Sequence, residues 1–156
     1  MSNPTVLAAL QRAGYTADDN FVRFVAGLSQ AEAGGKATDA KGKVIKGPKT
    51  RSGEQAAGPL QIMPGTFAEV NAKSFGGKLD INNNDDLALA GVTYARQMFD
   101  RANGNIFNAA KMYHGGPGAM GKNPRDTGTG LLNNDYAAKV AKAADAPLPK
   151  REAKPP

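Results

Sequence analysis

Apolar residues recur along this chain at three- and four-residue spacings, the period of helices buried on one side. The clearest run is Thr16 to Gly35. Phe21, Phe24, Val25 and Leu28 fall at i, i+3, i+4 and i+7. Thr16 is the expected N-cap, with Asp18 and Asp19 in a first turn where the helix dipole favours negative charge. Continued at the same period, the stripe ends on Glu32, and Gly34-Gly35 then stops the helix. A carboxylate on the apolar side of a helix end is costly to ionise, so its pKa rises. That prepares a carboxylic acid to give up a proton near neutral pH. The plainer alternative is a solvated glutamate where the helix leaves the core.

The same period places further helices. Asn3-Pro4 opens one through Val6, Leu7 and Leu10, closed by Gly14. Pro64-Gly65-Thr66 begins another, with Phe67 and Val70, ending near Phe75-Gly76-Gly77. Asp80 to Asp86 offers several caps for a longer helix carrying Leu87, Ala90, Tyr94, Ala95, Met98 and Phe99, with Gly104 as its expected C-cap. Asn105 caps a helix through Tyr113 that Gly115-Gly116 stops, and Asn134 or Asp135 opens the last one, with Tyr136, Val140 and Ala144. Between these, Lys36 to Arg51 reads as a mobile, exposed loop carrying six cations against Asp39. Either a solvated charge run or a grip on an anionic substrate explains it. No strand pattern emerges, so the expected class is mainly α.

Composition narrows the chemistry. A chain of 156 residues, 40% hydrophobic, supports one domain with its own core. Cysteine is absent and His114 is the only histidine, which excludes disulfides, thiolate chemistry and a histidine-built zinc site. No cofactor is expected. The formal charge of +6 points to an anionic partner: nucleic acid, anionic lipid or an anionic wall polymer. The cations sit in a loop and in the tail without interleaved aromatics, which argues against nucleic acid. There is no apolar run of membrane-spanning length and no basic-then-apolar leader, so neither membrane insertion nor a signal peptide is expected. Residues 146–156, rich in Pro and Lys, read as a tail or linker after a domain at 1–145.

Two motifs fail on context. Gly116 to Lys122 matches a phosphate loop by letter, but a helix precedes it and Asn123 follows the lysine. Asp80 to Asn84 resembles the start of a calcium loop, yet Asp85 stands where glycine is needed and Gly91 where glutamate should chelate.

A set of blocks does fit. Glu32 at a helix end is followed by Ala56-Ala57-Gly58-Pro59-Leu60-Gln61-Ile62-Met63-Pro64-Gly65-Thr66, by Ala110-Lys111-Met112-Tyr113-His114-Gly115-Gly116, and by Asp135-Tyr136 leading to Val140. In that order they resemble the signature blocks of the soluble-type (SLT-like) lytic transglycosylases, relatives of goose-type lysozyme. The resemblance spans about residues 20 to 144. It implies a lysozyme-like single domain with a substrate groove for peptidoglycan glycan strands. The bond cut would be the β-1,4 link from N-acetylmuramic acid to N-acetylglucosamine. Glu32 would serve as general acid and then as base toward the muramyl 6-hydroxyl, leaving 1,6-anhydro ends. Gln61, Met63, Tyr113, His114 and Tyr136 would contact substrate or orient Glu32, and Ser52 is a further contact candidate.

The chain also departs from the family pattern. Ala33 stands where the family has Ser, Pro59-Leu60 replaces Leu-Met, His114 replaces Asn, Gln55 takes the place of a Gly, and Glu54 has no counterpart. Glu54 keeps hydrolysis open, because it could hold a water as second carboxylate in an inverting muramidase. A non-catalytic wall-binding module is the alternative outside enzymes. A wall-degrading domain without a leader implies delivery to the periplasm or cell wall by a phage particle or secretion machine, as a monomeric domain or as part of a larger virion or secretion protein.

Overall fold

The computed structural model describes residues 3–148 and folds them into six α-helices, with isolated bridges and no extended strand among the described residues. Mainly α is therefore the class. Helix α1 (Pro4–Ala13) starts as expected: the Asn3 side-chain oxygen accepts from the N–H groups of Thr5 and Val6, Pro4 takes the first position, and Gly14 closes it at φ 81°. Helix α2 (Asp19–Ala33) corrects one expectation. Its cap is Asp18, whose Oδ1 accepts from the Phe21 N–H at 3.1 Å, and Thr16 lies in the preceding turn.

Helix α3 (Pro64–Phe75) begins at its proline and ends at Gly76. Helix α4 (Asn84–Arg101) is capped by Asn83 and ends at Ala102, two residues short of the expected Gly104. The glycine closes the following turn, its N–H reaching the Phe99 carbonyl at 3.0 Å. Helix α5 (Ile106–Gly115) starts after Asn105 and leads into a 3-10 turn, Pro117–Ala119. Helix α6 (Asn133–Ala143) opens one residue before the expected cap, with Leu132 at the N-cap and no side-chain cap bond.

The predicted stripe of α2 is the centre of the core. Phe21, Phe24, Val25 and Leu28 are fully buried, packed with Leu10 of α1, Val92 and Met98 of α4 and Val140 of α6. Burying each such side chain stabilises the fold by about 1.5–3 kcal/mol. Helix α1 packs on α4, α2 on α6, and α5 on both α4 and α6. Arg96 of α4 lies over the rings of Tyr15, Phe21 and Phe99 and pairs with Asp18 at 2.9 Å, fixing the start of α2.

One glycine sets the position of the C-terminal end of α2. A Cβ on Gly27 would lie 2.7 Å from the Val140 carbonyl oxygen and 3.0 Å from the Ala144 methyl. Only glycine lets the two helices approach so closely. They then run antiparallel, so the last turn of α2, with Glu32, meets the first turns of α6, with Tyr136. The linker expected at residues 146–156 falls mostly outside the described residues.

Candidate active site

A pocket of about 320 Å³ opens where the end of α2 meets α5, α6 and the loops around residues 48–63 and 126–131. Glu32 is in its wall. Burial is the main influence on this carboxyl and pushes its pKa up to about 7. The Tyr136 hydroxyl opposes that shift by donating toward the carboxylate, the negative charge of Asp126 adds to it, and the Lys139 ammonium opposes it. The Tyr136 hydroxyl is buried and meets no partner in full hydrogen-bond geometry. It biases the carboxylate without locking it, and Glu32 keeps a free edge toward the pocket.

The opposite wall is a tight turn built by the Ala57–Ile62 segment. Ala57 and Ile62 exchange both backbone hydrogen bonds at 3.0 Å, and Gln61 sits between them at φ 50°. That left-handed conformation costs a side-chain-bearing residue about 1 kcal/mol. The surroundings hold it there: Gln61 Nε2 donates to the carbonyls of Gly58 at 2.8 Å and Ile45 at 3.2 Å. Gly47 makes room for it, since a Cβ there would lie 2.5 Å from Gln61 Oε1. From α5, the buried Tyr113 hydroxyl donates to the Leu60 carbonyl at 2.7 Å and fastens the turn to the helix. Tyr113 thus presents its ring to the pocket while its hydroxyl is spent on the backbone. Burial keeps the phenols of Tyr113 and Tyr136 protonated, their pKa values well above the ordinary range.

His114 completes the third side. Its ring stacks on Tyr136, with centroids 4.1 Å apart and planes 13° from parallel. Nδ1 lies 2.9 Å from Asn133 Oδ1, and Nε2 lies 3.3 Å from Asp126 Oδ2. The other oxygen of Asp126 accepts from the backbone N–H groups of Gly128 at 2.7 Å and Thr129 at 2.9 Å. Asp126 therefore enters the pocket with Oδ1 held by backbone amides and Oδ2 facing the His114 ring.

Of the residues singled out in the sequence, Glu32, Gln61, Met63, Tyr113, His114 and Tyr136 line this one pocket. Ser52 and Glu54 do not. The turn they occupy is closed by Gly53 N–H donating to the Thr50 carbonyl and Thr50 N–H to the Glu54 carbonyl, which leaves both residues exposed. The loop read as exposed from Lys36 to Arg51 is exposed at its lysines, but Gly47 is buried and Pro48 and Thr50 reach the pocket. Asp126 and Lys139 also line it without having been singled out. Asp126 sits in Asp-Thr-Gly-Thr, a turn-forming pattern that gave a local signal for its backbone bonds though none for its place beside Glu32.

The family model of the transglycosylase SLT domain matches residues 44–135, more than half of the chain. The chain belongs to this family. The SLT domain comprises lytic transglycosylases acting on peptidoglycan, and the all-helical architecture agrees with its lysozyme-like fold. No curated protein matches the chain. The matched stretch carries the Gln61 turn, α3 to α5 and Asp126. Glu32, Tyr136 and Lys139 lie outside it and join this SLT domain's pocket through the packing of α2 and α6 on α5. Among the described residues, no helix is long and apolar enough to cross a membrane, and no group of three or more His, Cys, Asp or Glu could hold a metal ion.

Proposed function

We propose that this SLT domain cleaves the bond from N-acetylmuramic acid to N-acetylglucosamine in peptidoglycan by transglycosylation, with Glu32 as the single acid and base. The observation that carries this is the Glu32 carboxyl, raised by burial to about 7 in the wall of the pocket, so that acid and carboxylate forms are both present near neutral pH. Glu32 gives its proton to the bridging oxygen as the bond from C1 to that oxygen breaks, and N-acetylglucosamine leaves with a free 4-hydroxyl. The ionised Glu32 then takes the proton of the muramyl 6-hydroxyl as that oxygen bonds to C1. The product is the 1,6-anhydro sugar, and Glu32 regains its starting proton.

Glycosidases that use water, or a nucleophile of their own, need a second free carboxylate. Glu54, the candidate for that role in the sequence, lies outside the pocket. Asp126 lies inside it, but the Gly128 and Thr129 amides hold its Oδ1 and fix the carboxylate in the loop. An intramolecular hydroxyl as nucleophile suits a site with one carboxylate at liberty. Gln61, Met63 and His114 serve as sugar contacts in this reading, and Tyr136 biases and orients Glu32. Hydrolysis is the second reading, favoured by the presence of Asp126 alone.

Mass spectrometry of the muropeptides released from purified sacculi tests the proposal. Anhydro-muropeptides from the unmutated protein, absent with Glu32→Gln, support it. Reducing ends make the domain a muramidase, and binding of sacculi without any release makes it a wall-binding module. Delivery by a phage particle or a secretion machine belongs to the same proposal, and detection of the chain in purified particles checks it.

A further inference from the structure

A second depression, of about 520 Å³, adjoins the pocket between the loop bearing Lys49 and Arg51 and the loop bearing Arg125. Thr50 and Asp126 line both hollows, so the two share a wall. Three cations line the second hollow against one carboxylate, Asp126, whose Oδ1 is held by two backbone amides and whose Oδ2 faces His114. Arg125 Nη1 donates to the Gly130 carbonyl, whereas Lys49 and Arg51 have no carboxylate partner among the described residues.

The cations stand on a joined rim. The Arg51 backbone N–H donates to Thr127 Oγ1 at 3.1 Å, linking the two loops. Gly128 packs so closely beneath Pro48 that a Cβ would lie 3.0 Å from its carbonyl oxygen. Unneutralised like charges gathered on one rim repel one another, and an incoming anion relieves that repulsion.

We propose that this depression binds the carboxylates of the peptide carried by the muramyl residue whose sugar occupies the pocket. The inference rests on the reading of the pocket as a glycan site. In peptidoglycan the muramyl lactyl group carries a peptide with free carboxylates, and that peptide must leave the sugar across the pocket rim. The shared wall at Thr50 and Asp126 makes the cationic hollow its neighbour on one side. Arg51 offers a carboxylate a two-pronged contact and Lys49 a point charge. These groups lie away from the scissile bond, so they bind ground state and transition state alike and act on KM more than on kcat.

Binding to soluble, uncross-linked glycan strands tests this, using the Glu32→Gln protein so that no cleavage intervenes. Strands whose peptides carry free carboxylates are compared with the same strands after those carboxylates are converted to amides. The expected result at low salt is tighter binding of the strands with free carboxylates by about threefold to tenfold, the range that two or three exposed ion pairs supply. Lys49→Gln combined with Arg51→Gln erases that preference and leaves affinity for the amidated strands unchanged. Equal affinity for the two strands, or a preference that survives in the double variant, overturns the inference and leaves the glycan reading standing. Failure to bind either strand overturns both.

Discussion

Two carboxylates line the same pocket and live in different surroundings. Glu32, at the end of α2, is desolvated, which raises its pKa to about 7, and the poorly aligned Tyr136 phenol beside it opposes that shift. Asp126, in the loop before α6, receives two backbone amides on one oxygen and faces His114 with the other. Residue type does not set them apart; burial and backbone hydrogen bonds do. In the proposed reaction the desolvated carboxyl exchanges a proton with substrate. The one held by backbone amides keeps a loop in place and contributes its charge.

The largest consequence concerns catalysis. Glu32→Gln is expected to lower kcat/KM on sacculi by about a thousandfold, within the range for loss of a general acid, while binding of sacculi persists. Asp126→Asn keeps an oxygen for the Gly128 and Thr129 amides and is expected to cost less than about tenfold, well short of a lost acid or base. Equal losses from the two variants, measured by muropeptide release, would remove the distinction between them.

Stability carries the next effect. Below the ordinary glutamate range both folded and unfolded chains hold the Glu32 proton, and no difference arises. As pH rises from about 4.5 to about 7 the unfolded chain ionises first, so folding stability is lost across that window. Glu32→Gln removes this penalty. It should therefore stabilise the protein by about 2–3 kcal/mol at pH 8 and hardly at all at pH 4, as read by urea unfolding at each pH. A variant no more stable than the parent at pH 8 would mean that the pocket does not strain this carboxylate.

Smaller effects refine the account. In the proposed reaction the acid form of Glu32 is needed for the first step, so kcat/KM should fall as pH rises past about 7. Asp126→Asn removes a charge that raises the Glu32 pKa and should move this limb to lower pH. Lys139→Gln removes a charge that lowers it and should move the limb to higher pH. Shifts of opposite sign in the two pH profiles are the expected pattern, and a common direction would contradict it.

Much of this was legible in the chain, and the limits have physical causes. The α2 stripe and its extension to Glu32 are local and periodic, so they survive into the fold unchanged. Asn3-Pro4 and Pro64 mark helix starts by chemistry that needs no tertiary partner. Thr16 failed as a cap because Asp18, closer to the helix, offers the better acceptor. Asp126 and Lys139 carry no periodic signal toward Glu32, since only the packing of α6 and its preceding loop brings them there. Tyr113 was singled out in sequence and lines the pocket, but its hydroxyl's bond to the Leu60 carbonyl spans 53 positions and has no trace in sequence. Ser52 and Glu54 lie next to the signature block in sequence, but the turn from Thr50 to Glu54 carries them outward.

The most direct test follows the Glu32 carboxyl by carbon-13 chemical shift through a pH titration of the folded domain, assigned by its loss in Glu32→Gln. A midpoint near 7 that falls in Asp126→Asn is the predicted result. A midpoint in the ordinary glutamate range, near 4.5, would leave Glu32 fully ionised at neutral pH and contradict its role as the acid.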